Sequence, residues 1–292
     1  NRIWQMHFGK GLTTSSDDFG NQGRLPSHPK LLDWLSNYFM DNGWDIKKLH
    51  KKILSSATFK QASKIREDLV SIDPENYLLA KGPSQRMSAE MIRDNALKVS
   101  GLLVPKIGGK SVYPYQPSGL WDLSDKSWRY RYQHDKDENL YRRSLYTFWK
   151  RSAPPPSMLI FDTPNRDLCS VKRTLTSSPL QALLLLNDPQ FIEAARVMAE
   201  KSILSKEKSI NKKLSTLFRE IIGRTIRDGE LEILLKFYNE EKEKFSKNQS
   251  KAIAYLKTGE KPMNSDIEVV NMAALATVIS GMMNTAEAIT IN

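Results

Sequence analysis

The sequence predicts a mainly α protein: a multi-helix globular domain around a central segment that is rich in glycine, proline and aromatic residues, mostly irregular, and long enough to hold short strands. Apolar residues recur at helical spacing toward both ends of the chain, and residues suited to cap a helix precede these stretches. The central segment lacks that periodicity and contains Pro154–Pro156, which cannot continue a helix interior. We therefore expect one domain over residues 1–292, with helical regions at 1–104 and 177–292 and the irregular segment at 105–176.

The first helical region opens on Asn1–Phe8, which reads as the middle of a helix rather than a free terminus. We therefore expect the chain to be a piece of a longer protein, with its domain truncated at the N-terminal edge. Gly9 suits the end of this helix, and the polar loop Thr13–Arg24 follows it. Four further helices are predicted from their N-cap residues, which are Ser27, Asp45, Asp73 (before Pro74) and Ser88.

The last helical region uses the same capping chemistry. Ser178 and Asp188 each precede a proline, which is favoured at the first helical position. Amphipathic patterns predict helices around Leu214–Ile222 and Leu231–Tyr238, and Ser265–Glu268 reads as a capping box before a nearly all-apolar helix that extends to Ile289. In the central segment, Leu140–Trp149 alternates only in part, which fits either a strand or a short helix.

Composition excludes several classes of protein. With 40% hydrophobic and 26% charged residues, the 292-residue chain can bury a core and is not a disordered tail. The single cysteine, Cys169, excludes an intramolecular disulfide, a cysteine-based zinc or iron–sulfur site, and a CxxCH haem attachment. The formal net charge of +11 bears on partners rather than on fold. No run approaches the 18 or so apolar residues of a membrane-spanning helix.

Many short blocks, in order over nearly the whole chain, carry a family resemblance. They include Asn1–Trp4, His7–Leu12, Asp18–Gly20, Leu31–Leu35, Ser55–Phe59, Ala89–Asp94, Gly108–Val112, Tyr115–Pro117, Gly119–Trp121, Tyr141–Tyr146 through Pro154–Pro156, and Leu186–Phe191. Together they resemble the planctomycete-type C-terminal domain of unknown function 1553 (DUF1553, or PSD1). The resemblance implies an exported multidomain parent, located in the periplasm or cell envelope, with a cytochrome c-like domain as a partner. It also implies redox- or polysaccharide-linked metabolism, and any haem in a separate domain, with no cofactor in this chain.

The central segment supplies the main candidate for a ligand site. Six of its residues combine arginine forks, which bind carboxylate or phosphate, with aromatic faces, which stack on sugars or bases. These residues are Tyr115, Trp121, Arg142, Arg143, Trp149 and Arg151. We expect a carbohydrate or an anion as the ligand. The structural alternative is a buried arginine network that ties the irregular segment to the helices.

A weaker catalytic candidate lies around the polar loop. His7, Asp18 and His28 flank or occupy that loop and suit acid–base chemistry or a metal, but no HExxH spacing accompanies them, and we assign no metal ligand. The alternative is that these histidines are structural. Glu90, with Asp94 four positions later, is a second weak acid–base candidate, although a salt-bridge network with Arg93 is the favoured interpretation.

Three functions follow from these observations. The leading hypothesis is a binding or assembly module, or one wall of a shared site, in a larger exported protein. The first alternative is a metal-dependent hydrolase or oxidoreductase that uses His7, Asp18 and His28. The second is a basic nucleic-acid-binding module, which is disfavoured because the C-terminal lysines alternate with glutamates as on a solvated helix face.

Overall fold

The computed structural model describes residues 1–64, 67–121, 132–171 and 173–291. It confirms a mainly α fold, since helices dominate and the described strands form one two-stranded sheet. The α-helices, numbered in chain order, are α1 (Arg2–Phe8), α2 (Pro29–Asp41), α3 (Ile46–Leu54), α4 (Glu67–Val70), α5 (Ala89–Ser100), α6 (Asp137–Leu140), α7 (Pro156–Ile160), α8 (Pro179–Asn187), α9 (Pro189–Leu204), α10 (Ile210–Ile222), α11 (Asp228–Lys247), α12 (Gln249–Leu256) and α13 (Val269–Met283). Short 3₁₀ helices occupy Ser144–Tyr146 and Glu287–Ile289.

The chain divides into two compact units. Unit 1 comprises Asn1–Arg86, Cys169–Arg173 and Thr290–Asn292, and unit 2 comprises Met87–Leu168 and Thr174–Ile289. Both units are therefore assembled from separate stretches of sequence. The expectation that residues 1–292 form one family domain remains a prediction.

Unit 1 has a small apolar core. Trp4 of α1, Leu12, and Leu49 and Ile53 of α3 are buried in it, and apolar residues of α2 pack around them. Strands β1 (Gln85–Arg86) and β2 (Thr290–Ile291) pair antiparallel, with Gln85 opposite Ile291.

Unit 2 is built around α13. Eleven of the 15 residues of this helix are buried, and it packs against α9, α11 and α12. A helix that is apolar on all sides is expected only in the centre of a core. Helix α9 is the second central element, because it packs on both α13 and α5.

Several predicted caps are confirmed because each depends on a local hydrogen bond. Asp45 accepts from the Lys48 N–H at 3.0 Å and begins α3. Ser88 begins α5, and Asp188 accepts from the Gln190 N–H at 2.9 Å at the start of α9. Gly9 ends α1 in the left-handed conformation.

Other local predictions are wrong. The N-cap position of α2 is His28, because the hydroxyl of Ser27 donates instead to the Leu12 carbonyl oxygen at 3.2 Å. Asp73 does not begin a helix: its carboxylate accepts from the N–H groups of Tyr77 and Leu78, which locks a series of turns.

The all-apolar C-terminal helix is also shorter than predicted. It begins at Val269 with Glu268 itself as the N-cap, which accepts from the N–H groups of Val270 and Asn271, and it ends at Met283 rather than Ile289. Ser265 is therefore not its cap.

The irregular segment has little regular structure in its described part. Leu140–Trp149 holds the end of α6 and the 3₁₀ helix Ser144–Tyr146, and isolated bridges join Val104 to Arg142 and Val112 to Thr147. The short-helix alternative is therefore right for Ser144–Tyr146, while two isolated bridges take the place of the strand alternative. Among the described helices, none is both long enough and apolar enough to cross a bilayer.

Candidate functional site

A polar pocket lies beside the loop that follows α1 in unit 1. Its volume is about 470 Å³, within the range of about 300–1,000 Å³ typical of small-molecule sites. The pocket, called the polar pocket below, is lined by Gln5, Gly9, Lys10, Gly11, Thr14, Ser15, Asp17, Arg24, Glu75 and Tyr77. Eight of these ten residues carry polar side chains, so the pocket suits a ligand that makes many hydrogen bonds.

The end of α1 forms the first wall. Gly9 has a φ of 77°, and its N–H donates to the Gln5 carbonyl oxygen, which closes the helix. A Cβ at Gly9 would lie 2.8 Å from Oε1 of Gln85, so a larger residue would strain the backbone and displace the end of the Gln85 side chain. This turn directs the chain from Gln5 to Lys10 along the pocket.

The polar loop forms the second wall and is held by its own side chains. The Asn1 amide pairs with both backbone groups of Thr13, at 2.9 and 3.0 Å. The Ser15 hydroxyl donates to the Asp18 carbonyl oxygen and accepts from the Arg24 N–H, each at 2.8 Å. These bonds fix the loop positions from which Ser15 and Arg24 line the pocket.

The third wall comes from a distant stretch of the chain. The Asp73 carboxylate accepts from Tyr77 N–H at 2.8 Å and from Leu78 N–H at 2.7 Å. The Lys10 ammonium forms an ion pair with Glu75 and lies 5.7 Å from the centre of the Tyr77 ring. Lys10 therefore joins the end of α1 to this wall.

The charges of the polar pocket balance. Lys10 and Arg24 are cations, and Asp17 and Glu75 are anions. Carboxylates accept hydrogen bonds and ammonium and guanidinium groups donate them, so the lining offers both roles without a net charge. This balance favours a neutral polar ligand over a strongly charged one.

The predicted loop residues make other contacts. His7 Nε2 and His50 Nδ1 lie 2.7 Å apart, and the rings meet edge to face. Burial, followed by the neighbouring His50, lowers the pKa of His7. The Asp18 carboxylate accepts from the Gly20 N–H at 2.8 Å, and His28 Nδ1 lies 3.0 Å from the Ser27 hydroxyl. In the described structure, therefore, His7, Asp18 and His28 each bond to a different partner and not to one another.

The possibility of a metal site was part of the loop hypothesis. Within residues 1–64, 67–121, 132–171 and 173–291, no group of three or more histidine, cysteine, aspartate or glutamate side chains is placed to hold a metal ion. Glu90, the other catalytic candidate, lies half-buried in the first turn of α5.

Of the predicted ligand-site residues in unit 2, Arg142 anchors a loop. This buried guanidinium donates to the carbonyl oxygens of Lys106 and Lys110, at 3.2 and 3.0 Å, and to that of Gly108. It also lies 4.1 Å from the centre of the Tyr146 ring. These contacts anchor a loop, as the structural alternative expects. Ligand binding by Arg142 remains a prediction.

The other members of that set are spread over several environments. Trp121 is buried beside Tyr132 and Phe148, with ring centres 5.1 and 5.8 Å away. Trp149 Nε1 donates to the Asn165 carbonyl oxygen at 3.1 Å. The remaining two arginines, Arg143 and Arg151, are exposed.

Tyr115 belongs to a buried network that the sequence did not reveal. Fully buried Glu193 accepts from the hydroxyls of Tyr115 and Tyr141, at 3.0 and 2.8 Å, and from the Lys261 N–H at 2.6 Å. Arg196 lies 3.8 Å from the same carboxylate. Burial and the Glu193 charge raise the pKa values of both tyrosines. The only signal in the sequence was a glutamate within the apolar pattern of α9.

Two lysines near the end of α11 pair with glutamates of the same helix. Lys244 lies 2.6 Å from Glu241, and Lys247 lies 2.6 Å from Glu243. These pairs are on the exposed surface of α11, as expected for a solvated helix face.

Comparison with known proteins identifies a family. The family model described as "Protein of unknown function (DUF1553)", PSD1, matches residues 1–238. No curated protein and no solved structure matches the chain.

Proposed function

The chain belongs to the DUF1553 family, and from the geometry of unit 1 we propose that it is a binding module whose polar pocket holds a hydroxyl-rich carbohydrate. The observation that carries this proposal is the lining of the polar pocket, where two cations, two carboxylates and two hydroxyl side chains surround a volume of about 470 Å³ beside the Tyr77 ring. This volume has the size of a small-ligand site.

Sugar hydroxyls both donate and accept hydrogen bonds. Asp17 and Glu75 supply acceptors, while Lys10 and Arg24 supply donors. Because neighbouring hydroxyls of a sugar need both kinds of partner, the mixed lining suits them better than a lining of one charge would. The absence of a net charge among these four residues supports a neutral carbohydrate as the preferred ligand.

Tyr77 supplies the apolar contact that a sugar ring needs. It is 36% exposed, so its ring is open to a ligand as well as to Lys10. An aromatic side chain offers a large, rigid surface at low entropic cost. We assign Tyr77 the stacking contact and the charged residues the hydrogen bonds.

The setting of this module follows from the family resemblance. We propose an exported multidomain parent, in which a cytochrome c-like domain and the carbohydrate site serve the same redox- or polysaccharide-linked metabolism. Fractionation of cells that express the full-length parent tests this setting, and recovery of the parent in the cytoplasm alone would contradict it.

Affinity electrophoresis of the whole chain in gels that contain neutral, uronic-acid-containing or sulfated polysaccharides tests the carbohydrate site. We expect retardation by at least one neutral polysaccharide. Tyr77→Ala should weaken binding about tenfold, equivalent to about 1.4 kcal/mol. Tyr77→Phe, which keeps the ring, should bind nearly as tightly as the unsubstituted chain. Asp17→Asn should also weaken binding.

Asp33→Asn, on the exposed surface of α2, is the matched control for Asp17→Asn. Equal loss in both aspartate variants, or binding that Tyr77→Ala leaves unchanged, would show that the polar pocket is not the carbohydrate site. Retardation by sulfated polysaccharides alone would show that the basic net charge, rather than the pocket, drives binding.

A further inference from the structure

A second, smaller cleft lies in unit 2, where α5, α7 and the start of α9 meet the segment that contains Tyr115. We call it the Arg93 cleft. Its polar lining includes Arg93, Asp188 and Gln190, and Phe161 and Phe191 are among its apolar walls. The volume open to water is about 20 Å³, enough for one water molecule or one polar group of a ligand.

Arg93 is held rigidly at this cleft. It is 6% exposed, and its two terminal nitrogens donate to the carbonyl oxygens of Leu140 and Arg142, at 2.7 and 2.9 Å, to the Ser144 hydroxyl at 3.2 Å, and to Oε1 of Gln190 at 3.0 Å. Four bonds to neutral acceptors fix the plane of the guanidinium. The third nitrogen, Nε, is buried and has no hydrogen-bond partner among the described residues.

Gln190 presents a second donor without a partner. It is 3% exposed, and while its Oε1 accepts from Arg93, its Nε2 has no partner in the described part of the chain. Gln181 is equally buried, at 3%, but its Nε2 donates to the Ile160 carbonyl oxygen at 2.8 Å and to the Thr176 hydroxyl at 3.2 Å. A buried donor left unpaired costs about 1–3 kcal/mol, so the two unpaired donors, both on residues that line the cleft, call for an acceptor.

The charges around the cleft restrict what that acceptor is. One oxygen of Asp94 lies 3.9 Å from Arg93 and accepts from the Ser144 N–H. The Asp188 carboxylate also lines the cleft and accepts from the Gln190 N–H. Two carboxylates thus accompany one guanidinium, which disfavours an anionic ligand, and the unpaired donors disfavour a cationic one.

We propose that the Arg93 cleft binds a carboxamide or acetamido group. Its carbonyl oxygen, with two lone pairs, accepts from Arg93 Nε and Gln190 Nε2, and its N–H donates to Asp188. The attached carbon lies against the phenylalanine walls. Both donor nitrogens expose less than 1 Å² in the empty cleft, so the group enters by parting the lining side chains, which include Ser157 and Met158 of the five-residue helix α7.

Titration of the ¹⁵N-labelled whole chain with acetamide, followed by the side-chain amide signals of its glutamines and the Nε–H signal of Arg93, tests this site. We expect acetamide to shift the Gln190 and Arg93 signals saturably in the millimolar range, because so small a ligand cannot bind tightly. The Gln181 signal is the internal control and should stay unchanged. Acetone, which only accepts, and acetate, which is an anion of the same shape, should each bind at least tenfold more weakly.

Gln190→Met, which keeps the length of the side chain and removes its polar atoms, should abolish the saturable shift of the Arg93 signal. If this variant does not fold, the comparison of the Gln190 and Gln181 signals in the unsubstituted chain still tests the proposal. Three results would overturn the proposal: shifts that never saturate, equal shifts at Gln181, or signals that none of the three probes moves. The two donors would then have only an ordered water molecule as their partner.

Discussion

His7 Nε2 and His50 Nδ1 lie 2.7 Å apart, so the two imidazoles share a single proton position between α1 and α3. One ring donates and the other accepts, which requires at least one of them to be neutral. When both are charged, the hydrogen bond is lost and the rings repel each other. The contact therefore couples the packing of unit 1 to pH.

We expect unit 1 to lose stability as the pH falls below about 6.5, the ordinary value for histidine. Burial and His50 lower the pKa of His7 in the folded chain, so the unfolded chain binds a proton at higher pH. Stability is fully present above the unfolded value and declines until the pH passes the lowered folded value. Urea unfolding monitored between pH 8 and pH 5 measures this slope.

His50→Gln should reduce that slope, because glutamine can still bond to His7 but removes the charge repulsion that is the second cause, after burial, of the lowered His7 pKa. His28→Gln is the matched control, since the described side-chain hydrogen bond of His28 joins its imidazole to the hydroxyl of the adjacent Ser27. An unchanged slope in His50→Gln would mean that the histidine pair does not carry the pH dependence.

Replacement of the buried carboxylate of unit 2 should be strongly destabilising. Glu193→Gln removes the fully buried carboxylate beside Arg196, whose other described ion pair is with the less buried Glu200 at 3.6 Å. It also removes an acceptor from Tyr115 or Tyr141, so we expect a loss of about 3–5 kcal/mol in the free energy of unfolding. Glu243→Gln, in an exposed pair with Lys247, should give no measurable change. Thermal and urea unfolding compare the two, and equal effects would contradict a special role for Glu193.

Gly259 should not tolerate alanine. Its φ is 96°, and an added Cβ would lie 2.4 Å from Cδ of Glu193, so Gly259→Ala combines backbone strain with a clash against a buried side chain. We expect a loss of more than about 2 kcal/mol. Gly229→Ala, in α11 with no atom within 4 Å of the new Cβ, should be neutral or stabilising by up to about 1 kcal/mol. Unfolding midpoints of similar value in the two variants would be evidence against this account.

Arg224 should make the stability of unit 2 depend on pH in the acid range. Its guanidinium bonds to both Glu230 and Glu287, and it holds the pKa of Glu230 at about 2 and that of Glu287 below its usual value. The stability from these carboxylates is present above their unfolded pKa of about 4.3 and is lost as the pH falls toward 2. Arg224→Lys, which cannot make both forked pairs, should reduce this acid-dependent loss in unfolding experiments.

Arg219→Lys, on the exposed side of α10, serves as the control for Arg224→Lys. Its stability should match that of the unsubstituted chain at every pH. An acid profile of Arg224→Lys that coincides with the Arg219→Lys profile would contradict the assignment.

Sequence reasoning succeeded where a structure depends on neighbouring residues. Asp45, Ser88 and Asp188 cap helices because each bonds to an N–H two or three positions later. It failed where a distant partner competes, as when the Ser27 hydroxyl bonds to Leu12 instead of capping α2. It also failed at Asp73, where the carboxylate accepts hydrogen bonds from two N–H groups of a turn instead of capping a helix.

The candidate site shows the same limit. The polar loop was recognisable from its composition, and Asp17 and Arg24 within it do line the polar pocket. The opposite wall was not recognisable, since no local pattern places Glu75 against Lys10, 65 positions away. Long-range pairing of this kind is decided by the packing of whole elements, which a single sequence does not encode in any short motif.

The burial of α13 has a practical consequence for how this family is handled. The family match ends at residue 238, yet the most deeply buried helix of unit 2 spans Val269–Met283. A protein expressed only as far as residue 238 would lack this helix. The apolar faces of α9 and of the first half of α11 would then be open to water. Such a shortened protein should aggregate, so boundaries for producing unit 2 are better drawn beyond Ile289.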